Sequence, residues 1–209
     1  MNIEDFLPIY QDIKSKGFYQ DIFNKKEFYD EKLPEYENFP TTKGTLMKHQ
    51  KLISRFLSSH TLYSSLLLVH QMGSGKTCTA IGVIEKIKHE NNNFKGVYVF
   101  AKGTSILQNF KKELIEKCTS GEYNPKFPGS RNFTPREFLF RSKNLYKDYY
   151  NFTIKSTDKP TTFESFSKHL KSLKDSDIIN IYSNYIIIID EVHNLRRYKL
   201  NIDSKNKSF

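Results

Sequence analysis

The chain has 209 residues, of which 37% are hydrophobic and 27% are charged, and its formal net charge is +10. This length suffices for one domain with a sizeable core, and no apolar run approaches the roughly 20 residues of a membrane span. The first residues lack the basic segment and apolar stretch of a secretory signal, so an intracellular protein that is not secreted is expected.

The charge is distributed unevenly along the chain. Residues 1–40 contain nine acidic residues against five lysines, a net charge of −4, whereas residues 41–209 carry a net charge of +14. We interpret residues 1–40 as an acidic, aromatic N-terminal arm that packs on the main domain, residues 41–197, or on a partner, and residues 198–209 as a polar tail. The basic remainder fits polyanion binding, although a lysine-rich surface without a ligand would have the same composition.

The first predicted elements lead into a glycine-rich loop. Apolar residues at helical spacing predict a helix over residues 46–58, and the run Ser65–Val69 is typical of a buried parallel strand. That run continues into His70-Gln-Met-Gly-Ser-Gly-Lys-Thr77, and residues 78–88 then have the apolar spacing of an amphipathic helix. The loop resembles the phosphate-binding pattern G-x-x-x-x-G-K-[ST], except that His70 occupies the first glycine position.

This loop has the chemistry of a nucleotide site. Gly73 and Gly75 permit a tight turn that directs successive backbone N–H groups toward an anion. Lys76 would reach the β and γ phosphates, and the hydroxyl of Thr77 would ligate Mg²⁺. The helix that follows would place its positive N-terminus at the phosphates. The nucleotide-binding residues expected in and around the loop are Gln71, Met72, Gly73, Ser74, Gly75, Lys76, Thr77 and Cys78. The two cysteines, Cys78 and Cys118, indicate reduced thiols and no disulfide framework.

The middle of the chain predicts a strand over Gly96–Ala101, a turn at residues 102–104 and a helix near residues 105–117 that Ser105 would cap. Residues 119–160 interleave basic and aromatic side chains. Such a segment can stack bases and follow phosphates, but its aromatic residues can also fill a small core, and we favour the core interpretation. Residues 163–173 predict a further helix.

A second apolar run, Tyr185–Ile189, ends in Asp190 and Glu191. Burying two such carboxylates without partners would cost on the order of several kcal/mol, so they require a cation or water. Ligand sites in open α/β sheets lie at the carboxyl ends of parallel strands. The two strand ends therefore suggest a single site for a nucleoside triphosphate with Mg²⁺.

Together these segments resemble the motifs of superfamily-two helicases and translocases. Asp190-Glu-Val-His193 resembles their Asp-Glu-x-His motif II, and His70–Thr77 resembles motif I. Leu46–Gln50, Val97–Phe110 and Thr161–Phe166 are similar to the weaker motifs that accompany them, and the order along the chain is that of the family. The nearest likeness is to helicase-like ATPases of large DNA viruses, including poxvirus-type transcription factors and nucleoside triphosphatases.

The resemblance implies an α/β fold: a RecA-like P-loop lobe with a mainly parallel sheet flanked by helices. It is expected to be incomplete, without the motif III strand and the second lobe. The resemblance implies ATP and Mg²⁺ as cofactors, with Gln50 reading the adenine, Asp190 holding the metal and Glu191 orienting the attacking water. The catalytic set would be Lys76, Asp190, Glu191 and His193.

The resemblance also implies partners and a location. Lys102, Gly103 and Thr104 would contact nucleic acid, with DNA favoured over RNA, although a solvent-facing turn remains an alternative. A second RecA-like lobe or subunit would supply the arginines that contact the γ-phosphate. A viral factory, virion, cytoplasm or nucleus is the expected location, and no membrane is expected as partner. The alternative function is a non-catalytic or truncated subunit of a viral transcription or packaging machine that binds through its basic face.

Overall fold

The computed structural model describes residues 10–32, 44–71, 73–125, 133–152 and 163–193. The chain divides into two compact units, residues 1–91 and 92–209, and each is described by itself. Met72 and the predicted polar tail lie outside the described residues.

The described part of the first unit is helical. Its helices are α1 (Phe18–Asn24), α2 (Lys26–Tyr29), α3 (Lys48–Phe56) and α4 (Lys76–Glu90). A hydrophobic cluster joins the first three, and it consists of Phe18, Ile22, Phe28 and Tyr63, with Tyr10, Leu52, Phe56 and Leu57 packed against it. Arg55 on α3 adds an ion pair to Glu31, with a distance of 2.9 Å from Nη2 to Oε1. The described part of the N-terminal arm therefore packs against α3, the helix that carries Gln50.

The run Ser65–Val69 is not a strand in the structure, and the prediction of a buried parallel strand is wrong for these residues. The side chains of Leu66, Leu67 and Val69 are 44%, 67% and 82% exposed. A strand requires a neighbouring strand, because its backbone N–H and C=O groups need partners. Within the described residues of the first unit there is no other strand, so the apolar run has nothing to pair with.

The second unit contains a parallel sheet of three strands in the order β2-β1-β3. The strands are β1 (Gly96–Phe100), β2 (Tyr150–Asn151) and β3 (Tyr185–Ile189). The central strand β1 is buried along its whole length. Val97 aligns with Tyr150 on one side, and Phe100 aligns with Ile189 on the other. The predicted class, α/β with a parallel sheet flanked by helices, is confirmed.

Strand β3 is present where the sequence predicts it, but it is not fully buried. Ile187 and Ile189 are 44% and 42% exposed, whereas Ile186 and Ile188 are half-buried. Successive side chains of a strand point to opposite faces, and among the described strands β3 pairs only with β1. The run of four isoleucines predicts the strand correctly, but it does not reveal which face is covered.

Helices surround this sheet. They are α5 (Thr104–Glu116), α6 (Pro135–Tyr146), α7 (Phe163–Lys171) and α8 (Asp175–Tyr182). The last two cover the face of β1 that carries Tyr98 and Phe100, since the ring of Phe166 lies 4.0 Å from that of Phe100 and the ring of Tyr182 lies 5.3 Å from that of Tyr98. Residues 178–182 belong to α8.

Aromatic residues of the segment 119–160 form a second buried cluster. Its members are Tyr123, Tyr146, Tyr150 and Phe152, and each is at most 8% exposed. Tyr123 and Phe152 both contact Tyr146 edge to face, with ring centroids 6.4 and 5.9 Å away. The core interpretation is confirmed for these four residues. It is wrong for Phe140 and Tyr149, which are 67% and 37% exposed.

Two remaining predictions concern the cysteines and membrane spans. Neither cysteine is a free thiol in the structure, so the prediction of two reduced thiols is wrong. The positions of two cysteines in a sequence do not report the surroundings of their sulfur atoms. Among the described residues, no helix combines the length and apolar character that crossing a membrane requires.

Candidate functional site

The glycine-rich loop adopts a conformation that depends on its glycines. Gly73 has a φ of 81° and Gly75 a φ of 76°, both in the left-handed region that other residues rarely adopt. Gly75 is the N-cap of α4, so the helix begins at Lys76. The Nζ atom of Lys76 donates hydrogen bonds to the carbonyl oxygens of His70, at 3.1 Å, and Gln71, at 3.3 Å. The ammonium group is therefore held across the loop by carbonyl groups.

The N-terminus of α4 is a potential anion site. The first backbone N–H groups of an α-helix have no acceptor within the helix, and the helix dipole favours negative charge there. The helix has 15 residues, so its dipole is well developed. Thr77 and Cys78 lie half-buried in its first turn. The adjoining Lys76 adds a full positive charge, and together these groups can bind a phosphate chain.

Helix α3 contacts the same loop through Gln50. This residue is 3% exposed, and its side chain is bonded at both ends. Its Oε1 accepts from the backbone N–H of Met47 at 2.8 Å, and its Nε2 donates to the carbonyl oxygen of Gly75 at 3.2 Å. Gln50 is therefore lodged against the glycine-rich loop. The proposed contact with adenine stays a prediction.

Two histidines also lie at this loop, and the sequence did not single out one of them. The Nε2 atom of His49 is 3.4 Å from the carbonyl oxygen of Ser74, and its ring is edge-on to that of His70, with centroids 6.0 Å apart. His70 stands where phosphate loops usually have glycine. Its ring faces α3, and its carbonyl group accepts from Lys76.

The acidic segment follows directly after β3. The backbone N–H of Asp190 donates to the carbonyl oxygen of Phe100 at 2.9 Å, which continues the pairing of β3 with β1 by one residue. The N–H of Glu191 donates to Oδ1 of Asp190 at 2.9 Å, and Oε2 of Glu191 lies 3.1 Å from Nδ1 of His193. The Asp190 side chain therefore contacts the backbone of Glu191, and the Glu191 side chain contacts His193.

The backbone at Glu191 is unusual. Its φ of 56° lies in the left-handed region, which costs a residue with a side chain about 1–2 kcal/mol. Residues held in this region against their preference are concentrated at functional sites. The side chain of Glu191 is 43% exposed and that of Asp190 is half-buried, so water or a cation can reach this strand end.

The predicted nucleic-acid residues lie at the same edge of the sheet. Lys102, Gly103 and Thr104 follow β1, and β1 and β3 run parallel with Phe100 opposite Ile189. The two segments therefore leave the sheet side by side. Gly103 is the N-cap of α5, so the prediction that Ser105 caps this helix is wrong. Thr104 already has helical geometry, and Lys102 is exposed. Contact of these residues with nucleic acid stays a prediction.

Comparison with known proteins now identifies the family. Residues 43–208 match the family described as the Type III restriction enzyme, res subunit. The chain belongs to this family. The match includes the glycine-rich loop, the turn after β1 and the acidic segment after β3. The predicted resemblance to helicase-like viral ATPases is confirmed.

Relatives of this chain occur in viruses. It is 37% identical over 204 residues to "Putative helicase 087L" of Invertebrate iridescent virus 3, covering 93% of this chain and 20% of the relative. It is 37% identical over 149 residues to "Putative helicase 009L" of Frog virus 3, covering 71% of this chain and 15% of that relative. To the early transcription factor 70 kDa subunit of Melanoplus sanguinipes entomopoxvirus it is 28% identical over 161 residues, which cover 75% of this chain and 20% of that relative.

The chain thus spans about a fifth of the length of these relatives. No solved structure matches it.

Proposed function

We propose that this chain is the ATP-binding N-terminal lobe of a superfamily-two helicase or nucleic-acid-dependent ATPase. The observation that carries the proposal is the position of the Lys76 ammonium group, which carbonyl groups hold across a loop formed by two left-handed glycines at the start of α4. A phosphate chain would replace those carbonyl groups as the partner of the ammonium. Membership of the res-subunit family supports the same assignment.

Each site residue has a proposed role. Lys76 and the first N–H groups of α4 bind the β and γ phosphates. Thr77 and Asp190 provide oxygen ligands of the kind that Mg²⁺ prefers, and the metal would neutralise phosphate charge. Glu191 orients the attacking water. His193, which contacts Glu191, couples the state of the γ-phosphate to movement of the acidic segment.

In the full protein, ATP hydrolysis to ADP and phosphate would drive translocation along DNA or RNA, or its remodelling. The relatives are several times longer than this chain, and we propose that a second RecA-like lobe supplies the arginine that contacts the γ-phosphate. Such an arginine contributes about a thousandfold or more to the rate of related enzymes. The 209-residue chain alone is therefore expected to bind ATP but to hydrolyse it very slowly.

Equilibrium binding of a fluorescent ATP analogue in the presence of Mg²⁺ tests the proposal. Lys76→Ala is expected to abolish the binding seen with the unchanged chain. Lys51→Ala removes the same charge from an exposed position on α3 and should bind as the unchanged chain does. Equal binding by the Lys76→Ala and Lys51→Ala variants would refute the assignment of the phosphate loop.

The second candidate is a non-catalytic subunit of a viral transcription or packaging machine. The name of one relative, an early transcription factor subunit, favours it. The two candidates differ in their need for ATP. If the Lys76→Ala variant supports transcription or packaging in the reconstituted viral machine, the result favours the non-catalytic role. Loss of activity in that assay favours the ATPase.

A further inference from the structure

Helix α6 has two different faces. Ser142 and Tyr146 are buried, and they place one face in the aromatic cluster of the second unit. Arg136, Phe140, Lys143 and Lys147 follow one another at intervals of four, three and four residues, so they lie along one line on the helix surface. All four are exposed, and we call this line the α6 stripe.

The cations of the α6 stripe have no acidic partner in the part of the chain that the structure describes. Arg136, Lys143 and Lys147 form no ion pair there. The nearby acid Glu137 is engaged elsewhere, because its Oε2 accepts from the backbone N–H and from Oγ1 of Thr134 at 2.9 and 2.8 Å. That capping box fixes the start of the helix. The helix is thus well anchored, and its cations remain available to an anion.

A half-buried lysine of α5 also interacts with the α6 stripe. Lys111 on α5 places its Nζ 4.8 Å from the ring centre of Phe152. Burial lowers the pKa of Lys111, and the charge of Lys143 lowers it further. The charges of Lys111 and Lys143 therefore repel each other. A polyanion bound at this surface would relieve that repulsion.

The exposed aromatic ring identifies the kind of polyanion. Phe140 is 67% exposed in the middle of the stripe, between Arg136 and Lys143. Single-stranded nucleic acid offers phosphates to the cations and an unstacked base to the ring. A duplex keeps its bases stacked and would leave the ring without a partner. The stripe extends for about 16 Å, which is the length of a few stacked nucleotides at roughly 3.4 Å each.

We propose that the α6 stripe binds single-stranded nucleic acid, with Phe140 stacked on a base and Arg136, Lys143 and Lys147 at the flanking phosphates. The proposal rests on the proposed function and extends it, because it gives the ATPase a contact with single-stranded nucleic acid outside the motifs of the family. Phosphates and bases are common to DNA and RNA, so the shared chemistry does not select one of them.

Fluorescence anisotropy with labelled oligothymidylate and oligouridylate, without ATP, tests this surface. Phe140→Ala is expected to weaken binding by roughly 5- to 150-fold, the equivalent of removing one base–aromatic stack. Phe140→Tyr should restore it. The matched control is Tyr19→Ala, which removes an aromatic ring that is 79% exposed on α1 and should leave binding unchanged. Stronger binding of one oligonucleotide identifies DNA or RNA as the preferred strand.

The charges are tested by the salt dependence of the same binding. Replacing the three cations of the stripe by Gln should reduce the slope of log K against log salt by about 0.7 for each phosphate that is no longer neutralised, or about 2 in total. The control replaces Lys14, Lys16 and Lys51, three exposed lysines of the first unit, by Gln and should change the slope little.

Several outcomes would overturn the proposal. The first is an unchanged affinity and salt slope in the stripe variants. The second is an equal loss of duplex and single-strand binding in Phe140→Ala. The third is displacement of the strand by a polyglutamate peptide whose own binding requires Phe140. The last would identify an acidic protein as the partner. Binding of the fluorescent ATP analogue is measured for every variant. Normal ATP binding with no effect of the stripe refutes this inference alone, whereas absent ATP binding refutes the proposed function.

Discussion

Gly73 and Gly75 have similar backbones but different surroundings. Their φ angles are 81° and 76°, so an alanine at either position would be strained to the same degree. A Cβ atom at Gly75 would lie 2.5 Å from Nε2 of Gln50, whereas a Cβ at Gly73 would meet nothing within 4 Å. The two substitutions therefore separate backbone strain from the contact between α3 and the glycine-rich loop.

The magnitudes follow from these contacts. A left-handed conformation costs an alanine about 1–2 kcal/mol, and this applies to both variants. In Gly75→Ala the amide of Gln50 must also move, and it then loses its hydrogen bonds to Gly75 and Met47. Each bond contributes about 1 kcal/mol. We expect Gly73→Ala to lower the free energy of unfolding by about 1–2 kcal/mol and Gly75→Ala by about 3–4 kcal/mol.

Urea unfolding followed by circular dichroism measures both values, and the Gln50→Ala background supplies the control. Without the Gln50 amide there is no clash, so Gly75→Ala in that background should cost about as much as Gly73→Ala. The double-mutant cycle then isolates the coupling between the two residues. Equal costs for the two glycine variants in the unchanged chain would show that Gln50 does not press on the loop and would refute the expected difference.

Three further predictions concern strain, pH and packing. Glu191→Gly should raise the free energy of unfolding by about 1 kcal/mol by relieving its left-handed backbone, and an unchanged or lower value in urea would contradict the strain. Burial alone would raise the pKa of Glu90, but hydrogen bonds from Lys86 and Ser59 lower it below the ordinary value. Glu90 therefore stabilises the fold above its ordinary pKa, and this contribution is lost as the pH falls below about 5 toward the lowered pKa. Urea unfolding at several pH values should show this acid-dependent loss in the unchanged chain and less of it in Glu90→Gln, and identical pH profiles would exclude it. Phe28 is 1% exposed in the cluster between α2 and α3, and Phe28→Ala should lower the free energy of unfolding by about 3–5 kcal/mol. A decrease below about 1 kcal/mol would show that this cluster does not hold the arm.

Features that depend on neighbouring residues in the chain are specified by the sequence alone. The tight turn at Gly73 and Gly75 and the strands β1 and β3 occur where the sequence predicts them, and the helix predicted over residues 78–88 extends over Lys76–Glu90. Glycine placement, helical spacing and apolar runs act within a few residues, so they can be recognised without knowledge of the fold. The order of the motifs along the chain was likewise sufficient to indicate the family.

Which groups find partners depends instead on the tertiary fold. Ser65–Val69 has the composition of a strand but no neighbouring strand among the described residues of its unit, and Ile187 has an uncovered face. Gln50 lodges against Gly75, although 25 residues separate them. Phe140 and Tyr146 lie in the same helix, and one is exposed while the other is buried. Pairing, burial and contact depend on residues that are distant in sequence, because a paired strand, a core or a cationic surface forms only where distant segments of the chain pack against each other.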